Sequence, residues 1–223
     1  MKHYVRLFEE WEAPEDWESP NSKDTQASGL VPEWLQYVYD YMAEDPSKYR
    51  GRIRPKFDIS KWRNEITHLP RGLKIYGTLD LHDCINLRKL PEDLSFSTAY
   101  FSIDLANCEN LINFPDGCKI IPGSLTLSNC KSLQSLPDGL TVNSQCDLGY
   151  CTSLTKLPDH FRTPSLDLEG CLIKDFPNNL FVSDTLYLNN CPNLARNLSV
   201  DEINDLIVSK GGCRIDQISK IDF

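Results

Sequence analysis

No apolar run in the 223-residue sequence approaches the roughly 18 residues that a membrane-spanning helix needs. The opening stretch, 1–11, carries charges throughout and lacks the continuous apolar segment of a secretory signal, so the cytoplasm is the expected compartment. Positive charge is also in deficit. Lys and Arg total 23 against 32 Asp and Glu, for a net charge of −9. Phosphate backbones repel such a chain, which argues against nucleic acid as a partner. Residues 1–56 hold 8 basic and 11 acidic groups and residues 57–223 hold 15 and 21, so no basic module hides inside the average. Histidine is scarce, with only His3, His68, His82 and His160, and no repeat sets a Cys or Ser nucleophile beside one. No catalytic residue, cofactor or metal ligand is assigned on this pattern. The nine cysteines form no C-x-x-C pair, are odd in number and follow no secretory signal. They read as reduced thiols rather than as a disulfide frame or a zinc site.

What the sequence does have is a repeat. The pattern L-x-L-x-x-C-x-x-L-x-x-L-P begins at Leu79, Leu81, Cys84, Leu87, Leu90 and Pro91. It returns around Cys108, Cys130, Cys151, Cys171 and Cys191, with successive cysteines 24, 22, 21, 20 and 20 residues apart. That period lies inside the range of about 20–29 residues typical of leucine-rich repeats. Alternation at period two makes each L-x-L a short strand with its leucines inward, and stacked copies bury those leucines against one another. Each cysteine is expected at the turn toward the core, as a small buried residue whose weak donor bonds neighbouring backbone. The following Leu-Pro is expected to start an irregular or short 3₁₀ return.

These motifs resemble the leucine-rich repeat in its cysteine-bearing variety. The phrase from Leu125 to Leu136 is similar to repeats of plant intracellular immune receptors. The step from Leu136 to Leu140 is similar to repeats of bacterial effectors and bacteriophage-encoded proteins, and Met1 to Trp11 resembles the starts of proteins from large tailed phages. The resemblance implies an α/β solenoid with parallel strands on a concave face. It implies nothing about partner identity, because repeat scaffolds host unrelated functions.

The expected organisation is an acidic flexible segment at 1–29, a helical cap and basic linker at 30–56, the solenoid at 57–198 and a C-terminal cap at 199–223. Trp34, Leu35, Val38, Tyr39 and Met42 have helical spacing and are expected to dock on the first coil. Phe57, Ile59, Trp62, Ile66 and Leu69 read as a degenerate first repeat. Ser199 with Glu202 reads as a capping box, opening a helix whose Ile203, Leu206 and Ile207 share an apolar face before Gly211 and Gly212 stop it. The alternating basic tract 48–56 reads as a solvated linker rather than an anion grip.

Function is expected on the outward residues of the strands. The residue between the two leucines runs Asp80, Asp104, Thr126, Asp147, Asp167 and Tyr187, and the next outward column holds His82 and Glu169, with Tyr150 beside it. Stacked carboxylates repel one another by a few tenths of a kcal/mol per exposed pair, so their recurrence points to a protein partner with a basic surface. The expected function is thus recognition of a protein through the concave face, with a host protein as target if the chain is phage-encoded. The alternative is a structural or virion-associated component docked through its N-terminal segment.

Overall fold

The computed structural model describes residues 32–43, 57–96, 100–194 and 198–220. The segment 1–29 and the basic tract 48–56 lie outside the described residues. Helix α1 (Glu33–Ala43) and a 3₁₀ turn at Ser60–Trp62 precede ten strands. These are β1 (Lys74–Ile75), β2 (Leu79–Asp80), β3 (Ser95–Phe96), β4 (Ile103–Asp104), β5 (Ile120–Ile121), β6 (Leu125–Thr126), β7 (Thr141–Val142), β8 (Gln145–Asp147), β9 (Arg162–Asp167) and β10 (Phe181–Tyr187). Helix α2 (Val200–Ser209) and strand β11 (Gln217–Ser219) follow.

Together they form a parallel-strand solenoid of stacked coils. The L-x-L triplets and their variants supply the main ladder β2-β4-β6-β8-β9-β10, and β11, from the segment after α2, extends it at the end. Its register aligns Leu79, Ile103, Leu125, Cys146, Leu166, Leu186 and Ile218, all turned inward as the period-two alternation requires. Cys146 thus stands where other coils carry Leu or Ile, and it is fully buried.

The return differs from the expected irregular path. Residues after each proline turn form a second parallel ladder, in which Ile120 pairs with Thr141, Thr141 with Arg162 and Arg162 with Phe181, while β1 pairs with β3. Single bridges from Lys89 to Asn113 and from Asn113 to Ser135 mark a third side. Stacking coils in register sets every extended stretch beside its counterpart, so backbone groups outside L-x-L also find parallel partners.

Leaving the main ladder exposes N–H and C=O groups that need new partners. The residue before each of the six repeat cysteines takes the left-handed conformation, with φ of 60° at Asp83, 61° at Asn107, 60° at Asn129, 60° at Tyr150, 67° at Gly170 and 57° at Asn190. The turn brings each cysteine N–H onto the carbonyl three residues back, as from Cys84 to Leu81 at 3.1 Å. The thiol of the next coil then donates to that same carbonyl. Cys108 Sγ meets Leu81 O at 3.2 Å, Cys130 meets Leu105 at 3.2 Å and Cys151 meets Leu127 at 3.1 Å. Cys171 meets Leu148 at 3.0 Å and Cys191 meets Leu168 at 2.8 Å.

Both ends of the solenoid carry helices. On α1, Trp34, Leu35, Val38 and Tyr41 are buried, with the Tyr41 ring 4.8 Å from Phe57. The Tyr37 and Tyr41 hydroxyls accept the N–H groups of Asp58 and Tyr76, both at 3.1 Å. Met42 is half-buried, and the side chain of Tyr39 lies outside the described residues. At α2 the capping box forms as its sequence suggests, with Glu202 N–H donating to Ser199 Oγ at 3.2 Å and Ser199 N–H to Glu202 Oε2 at 2.7 Å. Ile203 and Ile207 are buried, but Leu206 is exposed, contrary to expectation. Asn204 takes the inward place instead, exchanging amide bonds with Ile215 N–H at 2.8 Å and Ile215 O at 3.2 Å. Those bonds tie down the segment leading to β11.

Burial pushes the buried thiols up from an ordinary pKa near 9.0, in the column to about 12 for Cys84 and Cys171 and about 11 for Cys191, and outside it to about 11 for Cys118. Eight cysteines are buried and only Cys213 is exposed. A thiol reagent should therefore modify one cysteine in the native protein and nine after denaturation. A raised folded pKa adds stability that is complete below the unfolded value and disappears as pH rises through the folded one. Unfolding monitored against pH should accordingly show stability falling between about 9 and 12.

Candidate functional site

The register places Asp80, Asp104, Thr126, Asp147, Asp167 and Tyr187 in one column, each half-buried. The carboxylates do not simply point outward. Each turns back to accept the N–H two residues on, at 3.4 Å from Asp80 to His82 and 3.1 Å from Asp104 to Ala106. Asp147 accepts from Gly149 at 2.9 Å and Asp167 from Glu169 at 2.8 Å. Asp58, one coil earlier and bridged to Asp80, does the same for Ser60 at 2.9 Å. The recurrence of Asp thus has a local cause, satisfaction of a backbone donor at the strand exit. The sequence reading missed both this cause and Asp58, although Phe57-Asp58-Ile59 repeats the L-x-L form.

Thr126 divides the predicted residues into two groups. Asp104 and Asp147 lie two strand spacings apart, about 10 Å. The first group is Asp80, His82 and Asp104. His82 Nδ1 touches Asp80 Oδ1 and lies 3.2 Å from Arg63 Nη2, while Arg63 Nη1 is 3.9 Å from Asp83 Oδ2. Asp83 also accepts from Asn107 Nδ2 at 2.8 Å. Arg63 comes from the degenerate first coil, and no spacing in the sequence connects it with His82.

The second group is Asp147, Tyr150, Asp167 and Glu169. Tyr150 Oη donates to Glu169 Oε1 at 2.5 Å, and Asn190 Nδ2 reaches the same oxygen at 3.2 Å. The hydrogen bond to Glu169 raises the Tyr150 pKa. The Asp167 carboxyl is raised by partial burial, with repulsion from Asp147 and Glu169 adding to it. Among the described residues, no ion pair reaches Asp104, Asp147, Asp167 or Glu169. The remaining predicted residue, Tyr187, is half-buried beside Asp167 in register.

Tyr150 is the exception in its column. Other coils place Asp, Asn or Gly at this left-handed position, whereas a bulky side chain there costs on the order of 1–2 kcal/mol. The ring is 43% exposed and packs over Gly170, where a Cβ would come within 2.6 Å of it. An exposed aromatic held in a strained conformation, bonded to Glu169 and near the charge of Asp167, has the composition of a binding anchor.

Class and geometry agree on a parallel-strand solenoid with an acidic, partly aromatic strand face. The chain matches no family model, and no curated protein or solved structure is detectably similar to it. No helix among the described residues is long and apolar enough to cross a membrane.

Gly170→Ala should lower stability by more than the ~1 kcal/mol of its positive φ, since the new methyl meets the Tyr150 ring. In a Tyr150→Asn background the steric part should vanish, leaving a positive coupling in a double-mutant cycle measured by urea unfolding.

Proposed function

We propose that the chain is a leucine-rich-repeat protein of the cysteine-bearing variety that binds a partner protein through its main strand face. The partner presents a basic surface. One observation carries the reading: an exposed, strained Tyr150 is bonded to Glu169, and Asp147 and Asp167 lie side by side on adjacent strands, with no ion pair among the described residues to neutralise these carboxylates. Local backbone bonding accounts for Asp at the column position, but it accounts for neither Glu169 nor the tyrosine at a left-handed site. A guanidinium or ammonium group docked there would meet carboxylates on two coils and an aromatic face, contacts worth about 0.5–2 kcal/mol for the cation–π part alone. Rigid stacking fixes these groups before the partner arrives, which limits the ordering cost of association.

A basic partner is recovered by affinity capture with the wild-type chain and then measured against Asp147→Asn, Asp167→Asn and Glu169→Gln combined. The amides keep the N–H acceptors and remove three charges. Binding should weaken at least tenfold, mainly through slower association, and lose much of its dependence on salt. Stability at neutral pH should hold or rise, because the fold disfavours the charged form of Asp167. Unchanged affinity in a folded triple variant would move recognition off this face.

A further inference from the structure

We propose that Asp80, His82 and Asp104 form a site for a divalent transition-metal ion, typified by Zn²⁺. One oxygen of each carboxylate and one ring nitrogen of His82 lie within 4.8 Å of one another, and all three residues are half-buried. The topology produces this convergence. Asp80 ends β2 and His82 opens the turn that follows, where its ring lies against the Asp80 carboxylate, and Asp104 is the register partner of Asp80 on the adjacent strand.

His82 Nδ1 faces two demands that conflict. His82 Nδ1 faces Asp80 Oδ1, which requires a hydrogen on that nitrogen, and Arg63 Nη2 at 3.2 Å, which requires a lone pair there. No tautomer meets both demands. A metal ion on Nδ1 resolves the conflict, since it takes the nitrogen lone pair and binds the Asp80 oxygen from the same side. Arg63 then turns toward Asp83, whose Oδ2 is already 3.9 Å from Nη1.

Metal bonds of about 2.0–2.2 Å to N and O set tetrahedral ligand atoms about 3.4 Å apart, so the touching Asp80 and His82 donors need to part and Asp104 to draw in, each by roughly an ångström. Rotation of half-buried side chains supplies that. Asp104 Oδ1 remains bonded to Ala106 N–H at 3.1 Å, which holds the carboxylate in place and leaves Oδ2 for the ion. One imidazole with two carboxylates suits borderline first-row ions, whereas Mg²⁺ prefers oxygen and retains its water. Three protein ligands on an open strand face leave a coordination position for water or for a donor from outside.

The test is calorimetric titration of the chelator-treated full chain with ZnCl₂, alongside thermal unfolding. One saturable site and a rise in unfolding midpoint are expected. His82→Gln and Asp104→Asn should each weaken binding at least tenfold while leaving the metal-free midpoint close to wild type. Arg63→Gln should tighten binding severalfold, because it removes a cation competing for the same nitrogen. Cys213→Ser and His160→Gln, which alter the exposed thiol and an exposed imidazole, should bind as the wild type does. Absence of saturable binding, retention of full affinity in His82→Gln, or equal affinity for Mg²⁺ would overturn the assignment. The carboxylates tested for partner binding, Asp147, Asp167 and Glu169, are not among the three ligands, so either idea can fail alone.

Discussion

The carbonyl of the second leucine in each L-x-L is shared between two coils, and the stacking depends on that sharing. Leu81 O accepts the Cys84 N–H of its own coil at 3.1 Å and the Cys108 thiol of the next at 3.2 Å. Leu105, Leu127, Leu148 and Leu168 repeat the arrangement. Without the turn, the leucine carbonyl at the end of the strand would face an apolar core with no donor, at a cost of about 1–3 kcal/mol per site. Cysteine suits the position because it is small enough for the interior and still donates. Serine would donate more strongly but bring a hydroxyl that is costlier to desolvate.

That interior requirement shapes the surface. The same departure from the ladder that frees the leucine carbonyl also frees the N–H two residues beyond the outward residue, and an Asp side chain takes it up. A column of carboxylates thus arises from backbone satisfaction and is available for recognition without further rearrangement. Two coils depart from the plain solution. One brings Arg63 against His82, and the other carries Tyr150 where Asn would be relaxed. Violation of a local rule in an otherwise regular repeat is where function is expected to reside.

Much of this was legible in the chain. Six cysteine-centred repeats determine the main ladder, its register and its inward leucines, because period-two alternation and a fixed repeat length leave a single consistent stacking. The capping box at Ser199 and the docking of Trp34, Leu35 and Val38 were legible for the same reason, local pattern with local consequences. The second ladder was not. Segments such as Ile120–Ile121 and Thr141–Val142 are two residues long, too short to show a period, and they become strands only because stacking aligns them. Exposed Leu206 was misplaced because buried Asn204 turns inward for a bond to Ile215, eleven residues away. The left-handed column was written plainly as Asp, Asn or Gly before cysteine, yet its meaning, and the oddity of Tyr150, appear only from φ. Of the site residues, sequence spacing gave the column, while the pairing of Tyr150 with Glu169 and of Arg63 with His82 needed three dimensions.

The shared leucine carbonyl is open to direct observation through the S–H stretching band in the infrared. Hydrogen bonding lowers that frequency, and the buried position narrows it. Native protein is predicted to show a group of lowered bands from the column thiols, with Cys213 near the solvent-exposed value. Replacing Cys130 and Cys151 with Ala should remove intensity from the lowered group only, and unfolding should merge all bands at the exposed-thiol frequency. A native spectrum in which the column thiols absorb as free, unbonded groups would contradict the account.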